Sequence, residues 1–280
     1  MGIQFLKGHG TENDFVLLPD LDATLDLTEA RVRALCDRRA GIGADGVLRV
    51  VPAKAVTDRP PDVADDVWFM DYRNGDGSIA EMCGNGVRLF ARYLVDAGLV
   101  SGAEFPVGSR AGVRGVVVDE HGEVTVDMGR ARVTGTSLAT VAGGTVAGFA
   151  VDVGNPHLVC VVEDEDKLAS LDLTVPPLYD PDVFPDGVNL EFVAVTAPAA
   201  LRMRVHERGV GETRSCGTGT VAAVTGVLHG QGRNRGAATV DVPGGRVRVT
   251  VTPERATLAG PAVFVARGEL DNGWWAALAE

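Results

Sequence analysis

The chain of 280 residues is poor in several things that would each have signalled a function. Cysteine occurs four times, at 36, 83, 160 and 216. That is too sparse for a disulfide scaffold, and no C-x-x-C pair suggests zinc. Lysine occurs three times, at 7, 54 and 167. No Lys/Arg run interrupts a formal net charge of −12, so a nucleic-acid partner is not expected. No apolar run approaches the ~18 residues that would span a bilayer. The start, "MGIQFLKGHG", lacks the basic and apolar regions of a secretion signal. A soluble cytoplasmic protein is expected, with thiols kept reduced.

What is present is a pattern of short Val-rich runs separated by turn signals. "RGVVVDEHGEVTVDMG" (114–129) reads as a hairpin turning at His121-Gly122, and "VAGFAVDVGNPHLVCVVE" and "GGRVRVTVTPERATLAG" read alike. Helix signals are fewer: 28–39, 165–171, and the segments after two related motifs. Two Pro/Asp-rich loops, 52–66 and 176–187, stand apart. The mixture is α+β, with antiparallel sheets wrapping few helices.

The two motifs are "EMCGNGVRLF" (81–90) and "RSCGTGTVAA" (214–223), in which Cys216 follows Cys83 by 133 positions (216 − 83). The apolar stripe Phe90, Ala91, Leu94, Val95 after the first maps at that offset onto Ala223, Val224, Val227, Leu228. Two related halves are inferred, each with a central helix whose N-terminus carries a thiol. The boundaries expected are 1–129 with 262–280 for the half bearing Cys83, and 130–261 for the half bearing Cys216.

A helix N-terminus presents unpaired N–H groups and a positive half-charge. Glycines there let a carboxylate approach the backbone, and the same field favours thiolate over thiol. Two thiols facing each other across a cleft between the halves would suit two-base stereoinversion at an α-carbon, one removing a proton and the other delivering one. Pyridoxal phosphate, the usual electron sink, needs a Schiff-base lysine, and none of the three lies in a recognisable cofactor motif. A cofactor-free and metal-free reaction is expected. His9, Asn13 and Asp14 open the chain in "HGTENDFV", and Asn155 and His157 in "GNPHLV" are placed at a strand edge. Taken singly, such residues are more often turn and cap formers.

Together, "GTENDF", "NGDGSIAEMCGNGVR", "GNPH", "GVNLEF" and "ERGVGETRSCGTGT" resemble the diaminopimelate epimerase family, in order from residue 8 to about 230. The resemblance implies two pseudo-symmetric halves, each a curled, barrel-like antiparallel sheet around a central helix, with the active site in the cleft between them. It implies epimerisation of LL- to meso-2,6-diaminopimelate without cofactor, in lysine and peptidoglycan synthesis. It assigns the acid/base thiols to Cys83 and Cys216, and the seat of the reacting carboxylate to Gly84, Asn85, Gly217 and Thr218. His157 and Glu207 match the groups near the reacting amine. Asn13, Asn74, Asn155, Asn189 and Arg208 match those that hold the distal end. Oligomeric state stays open, a homodimer being one outcome. One departure is Gly46, where many members carry Gln after the Asp of "GIGADG", so one substrate contact is absent. Proline and hydroxyproline racemases share the architecture but resemble a "MCGHG" pattern, whereas position 85 here is Asn. A non-catalytic thiol switch or anion-binding protein would leave Glu207, Arg208, His157 and the asparagines without a task.

Overall fold

The computed structural model describes residues 2–141 and 143–278. It divides into two compact units, residues 1–126 with 261–280, and residues 127–260. Helices among the described residues are α1 (Glu29–Cys36), α2 (Gly84–Asp96), α3 (Glu165–Ser170), α4 (Gly217–Gly230) and α5 (Asn272–Ala277).

In the first unit the strand order is Val263–Glu269, Gln4–Gly10, Asn13–Pro19, Gly46–Pro52, Trp68–Asn74, Glu104–Ser109, Gly112–Val118 and Val124–Gly129. Pairing is antiparallel except where α1 and α2 cross over, between the third and fourth strands and between the fifth and sixth. A parallel pair needs such a crossover because its strands run the same way. The sheet curls around α2, whose first eight residues are all buried.

The second unit repeats that sequence of pairings strand for strand. Its order is Arg132–Val141, Gly144–Asp152, Pro156–Val161, Asn189–Ala197, Ala200–Glu207, Gly236–Val242, Gly245–Val251 and Ala256–Gly260. Its two parallel pairings again fall where α3 and α4 cross over. Each unit is therefore mostly antiparallel, with two parallel pairings that the sequence pattern did not announce. Helix α4 packs on eight strands and is apolar all round, as a fully enclosed helix must be.

The offset of 133 carries Gly84 onto Gly217 and Gly112 onto Gly245. It becomes 143 for the earlier strands, Gly46 onto Asn189 (189 − 46). The loop 53–67 absorbs the difference, since the second unit makes the same connection in two residues, 198–199. The hairpins read in the sequence are present, with Gly122 and Gly154 in the left-handed conformation their turns require. Helix α1 begins on its Thr28 cap as expected but stops at Cys36 rather than 39. The reason is local: Asp37 Oδ1 accepts from the N–H groups of Arg39 and Ala40, both at 2.7 Å, and turns the chain. Val95, expected on the inner stripe of α2, is exposed, while Phe90, Ala91 and Leu94 are buried.

Candidate active site

In the first unit Cys83 is the extended N-cap residue of α2. Its Sγ donates to Asn13 Oδ1 at 3.5 Å, and Asn85 Nδ2 donates to the same oxygen at 3.2 Å. Asn13 Nδ2 donates in turn to Asp45 Oδ2 at 2.8 Å. Arg38 then bridges Asp45 to Asp14 through two contacts of 2.8 Å. Burial pushes Asp14 up, but hydrogen bonds from Arg38 and Lys7 outweigh it and hold the carboxyl well below the usual range. Asp14 is thus committed to the scaffold, and His9 Nδ1 accepts from the Glu12 N–H at 3.2 Å. Asn74 ends its strand with Nδ2 donating to Ser78 Oγ at 3.0 Å.

On the buried face of α2 itself lies Arg88, 0% exposed, which sequence reasoning did not single out. Its Nη2 donates to Asn85 Oδ1 at 2.6 Å and to Thr11 Oγ1 at 3.0 Å. Burial lowers its pKa to about 10. Thr11 and Glu12 form the two-residue turn before Asn13 with φ of 49° and 61°, a conformation that favours glycine. The Arg88 contact holds the strained Thr11 in place, and with it the strand that presents Asn13.

In the second unit Cys216 is the N-cap residue of α4. Its Sγ accepts from the Gly219 N–H at 3.4 Å and lies 3.5 Å from Thr218 Oγ1. The expectation that a helix N-terminus lowers this thiol does not hold here. Burial, then Glu207, pushes it well above its ordinary value against the pull of Thr218 and Gly219. Burial also raises Glu207, which accepts a short hydrogen bond from Thr213 Oγ1.

His157 is fully buried and lies on a strand paired on both sides, not at a sheet edge. Its Nδ1 is 2.7 Å from Glu191 Oε1 and its Nε2 is 3.0 Å from Asn155 Oδ1. Asn155 Nδ2 donates to Thr218 Oγ1 at 3.5 Å, so a polar chain runs from Glu191 to Cys216. Asn189 Oδ1 accepts from the Arg208 N–H at 3.0 Å, and Arg208 Nη1 donates to the Asp186 carbonyl at 2.8 Å. The second unit therefore gathers Asn155, His157, Asn189, Glu207, Arg208, Cys216, Gly217 and Thr218. The first gathers Asn13, Cys83, Gly84 and Asn85, while the Asn74 side chain bonds to Ser78 in its own turn.

Gly46 has a steric reason. A Cβ there would lie 2.5 Å from the Arg73 carbonyl oxygen and 2.8 Å from Tyr72 Cε2, so the neighbouring strand already fills the space. The two other thiols are remote from this chemistry. Cys36 and Cys160 are buried in apolar clusters, and burial pushes each up to about 12.

Both thiols thus sit at the N-cap of a helix with a buried ionisable group near its first turn, the guanidinium of Arg88 in one unit and the carboxyl of Glu191 in the other. No group of metal-ligating side chains was found among the described residues.

Known proteins agree on the family. A family model described as diaminopimelate epimerase matches residues 5–134 and 149–265. A diaminopimelate epimerase of Rhodococcus jostii (strain RHA1) is 57% identical over 289 residues, covering 99% of this chain and 100% of the relative. One from Mycolicibacterium smegmatis is 58% identical over 290 residues, covering 98% and 99%. Two solved structures share the fold at 16% identity. A Bacillus anthracis phenazine biosynthesis protein of the PhzF family has a TM-score of 0.69 over 97% of this chain and 99% of its own. A hydroxyproline epimerase from Agrobacterium vitis has a TM-score of 0.65 over 96% and 92%. With most of its length matched by the family model and by relatives of such identity, the chain belongs to the diaminopimelate epimerase family.

Proposed function

We propose that the protein interconverts LL- and meso-2,6-diaminopimelate by two-base proton transfer, with Cys83 and Cys216 as the acid/base pair. The observation that carries the reading is the duplicated thiol at the N-cap of a buried helix, once in each unit. One thiolate removes the α-proton and the other thiol protonates the opposite face, so the carbon inverts and the two thiols exchange protonation states. The N–H groups at Gly84, Asn85, Gly217 and Thr218 receive the charge that develops on the reacting carboxylate. His157 and Glu207 serve the reacting amine. Asn13, Asn74, Asn155, Asn189 and Arg208 hold the distal amino-acid end, where a guanidinium fork suits a carboxylate.

Burial and the Glu207 carboxylate favour the thiol form at Cys216, the form that delivers a proton. No helix among the described residues is long and apolar enough to cross a membrane, which fits a cytoplasmic setting for lysine and peptidoglycan precursors. The test is incubation with LL-diaminopimelate in D₂O without added cofactor. Meso product carrying one deuterium at the inverted carbon is expected, and absence of the meso isomer would overturn the reading.

A further inference from the structure

The second unit buries an ionisable group that the reaction itself does not use. Glu191 is the third residue of the strand Asn189–Ala197 and is 0% exposed. Its Oε1 meets His157 Nδ1 at 2.7 Å, while its Oε2 has no hydrogen-bond partner among the described residues. A Cβ on Gly219 would lie 2.6 Å from Oε1, so the carboxyl sits directly under the first turn of α4. Glycine at 219 is what lets it come so close.

The protons can be placed by elimination. Asn155 donates its Nδ2 to Thr218, which turns its Oδ1 toward His157 Nε2 at 3.0 Å. An oxygen acceptor at that distance requires Nε2 to carry a proton. On the other side, Nδ1 and Oε1 are both acceptors when unprotonated, so a single proton must lie between them. The His157–Glu191 pair therefore holds two protons and is neutral as a unit. The empty Oε2 decides which partner owns the shared one. An ionised carboxylate with an unpartnered oxygen, fully buried, is far costlier than a carboxylic acid in the same place. Glu207 and the Cys216 thiol face the same region, and a second negative charge there would oppose ionisation of that thiol further.

We propose that Glu191 is a positioning residue that, as a neutral acid, donates to His157 Nδ1 and locks the ring in the Nε2–H tautomer directed at Asn155, Thr218 and Cys216. The kinetic consequence rests on the epimerase reading, whereas the tautomer is a property of the free protein and can be read without substrate.

The experiment uses full-length protein with ¹⁵N-labelled histidine. It has five histidines, and His157→Gln assigns the signal of interest. Long-range ¹H–¹⁵N spectra of the wild type should show an unprotonated Nδ1 and a protonated Nε2. Glu191→Gln should keep that pattern, because its amide N–H also donates to Nδ1, and should keep most of the wild-type kcat. Glu191→Leu should lose the tautomer preference and about 10- to 100-fold in kcat, with a smaller change in KM. A doubly protonated His157 or an Nδ1–H tautomer in the wild type would overturn the proposal. So would a Leu variant with an unchanged ring spectrum, or a Gln variant whose spectrum matches that of the Leu variant. If the spectra came out as expected but diaminopimelate were not epimerised, the proposed function would fall and the tautomer assignment would stand.

Discussion

Replacing Arg88 with Met separates what this buried cation does for the fold from what it does for the site. Two opposing contributions can be worked out. The fall from 12.5 to about 10 means that the fold disfavours the charged guanidinium by about 3 kcal/mol, at ~1.4 kcal/mol per pH unit. That cost is present at all pH values below about 10, because the group is charged throughout that range. Methionine removes it. Against this, the two hydrogen bonds to Asn85 and Thr11 are lost, each worth about 1.5–3 kcal/mol when the donor is charged. The difference is a net loss of about 0–3 kcal/mol, which a domain stable by ~5–15 kcal/mol survives. Function should suffer more. Asn85 and the Thr11 turn both lose their anchor, and through them so does Asn13, the partner of Cys83. A displacement near 1 Å of such groups costs about 100-fold in rate. Arg88→Met should therefore melt within about 10 °C of the wild type in calorimetry while losing about 100-fold in kcat with LL-diaminopimelate. Arg88→Lys should fall between the two, since one ammonium lacks the planar fork. Near-normal turnover in a folded Met variant, or a loss of activity that tracks unfolding step for step, would refute the reasoning.

Cys83→Ala and Cys216→Ala should each remain folded and each abolish epimerisation, since either leaves one face of the carbon without proton transfer; more than a few per cent of wild-type turnover in either variant would contradict the two-base mechanism. Arg208→Met should act on binding, raising KM by about 10- to 100-fold through loss of a charged hydrogen bond to the distal carboxylate, with kcat changed less. Gly46→Ala should destabilise by about 1–3 kcal/mol in urea titrations, because its Cβ meets backbone, and restoring the Gln of other family members should not improve binding. Because burial holds Cys36 and Cys160 near 12 when folded against about 9 when unfolded, the stability each contributes is full below pH 9, falls by about 1 kcal/mol between pH 9 and 10, and then falls by ~1.4 kcal/mol per pH unit towards 12. Cys216, raised in the same sense, adds to that slope, so Cys160→Ala should flatten it by about a third, and an unchanged slope would show that other groups govern alkaline unfolding.

Much of the site was legible because its signals are local. Cys-Gly-x-Gly marks a helix start whatever surrounds it, and Gly98 and Gly122 mark a stop and a turn. The repeat was visible from 68 onward, where the offset is constant, and hidden before it, where loop 53–67 breaks the register. Arg88 and Glu191 were not legible. Each is a single charge inside an apolar run, "GVRLF" and "NLEFVAV", and periodicity counts such a residue as a tolerated exception on the outer face. Only the partners, 3 and 77 positions from Arg88 and 34 from Glu191, show that each faces inward. A lone charge in a stretch otherwise destined for the interior is the signal that could have found both. The two thiols also differ in burial, Cys83 being half-buried and Cys216 buried beside Glu207, a difference that equal motifs did not announce.

The pairing of Gln4–Gly10 with Val263–Glu269 has a consequence for the order in which the chain folds. The second unit is contiguous, and every strand it needs has emerged once residue 260 leaves the ribosome. The first unit begins earlier but waits for its outermost strand, which is made only after the whole of the second unit. The strand Gln4–Gly10 keeps one hydrogen-bonding edge uncovered until the second unit has been made, and closing a loop of such length is slow. The half made second is therefore complete first, and the nascent first half is the part that needs shelter from edge-to-edge association.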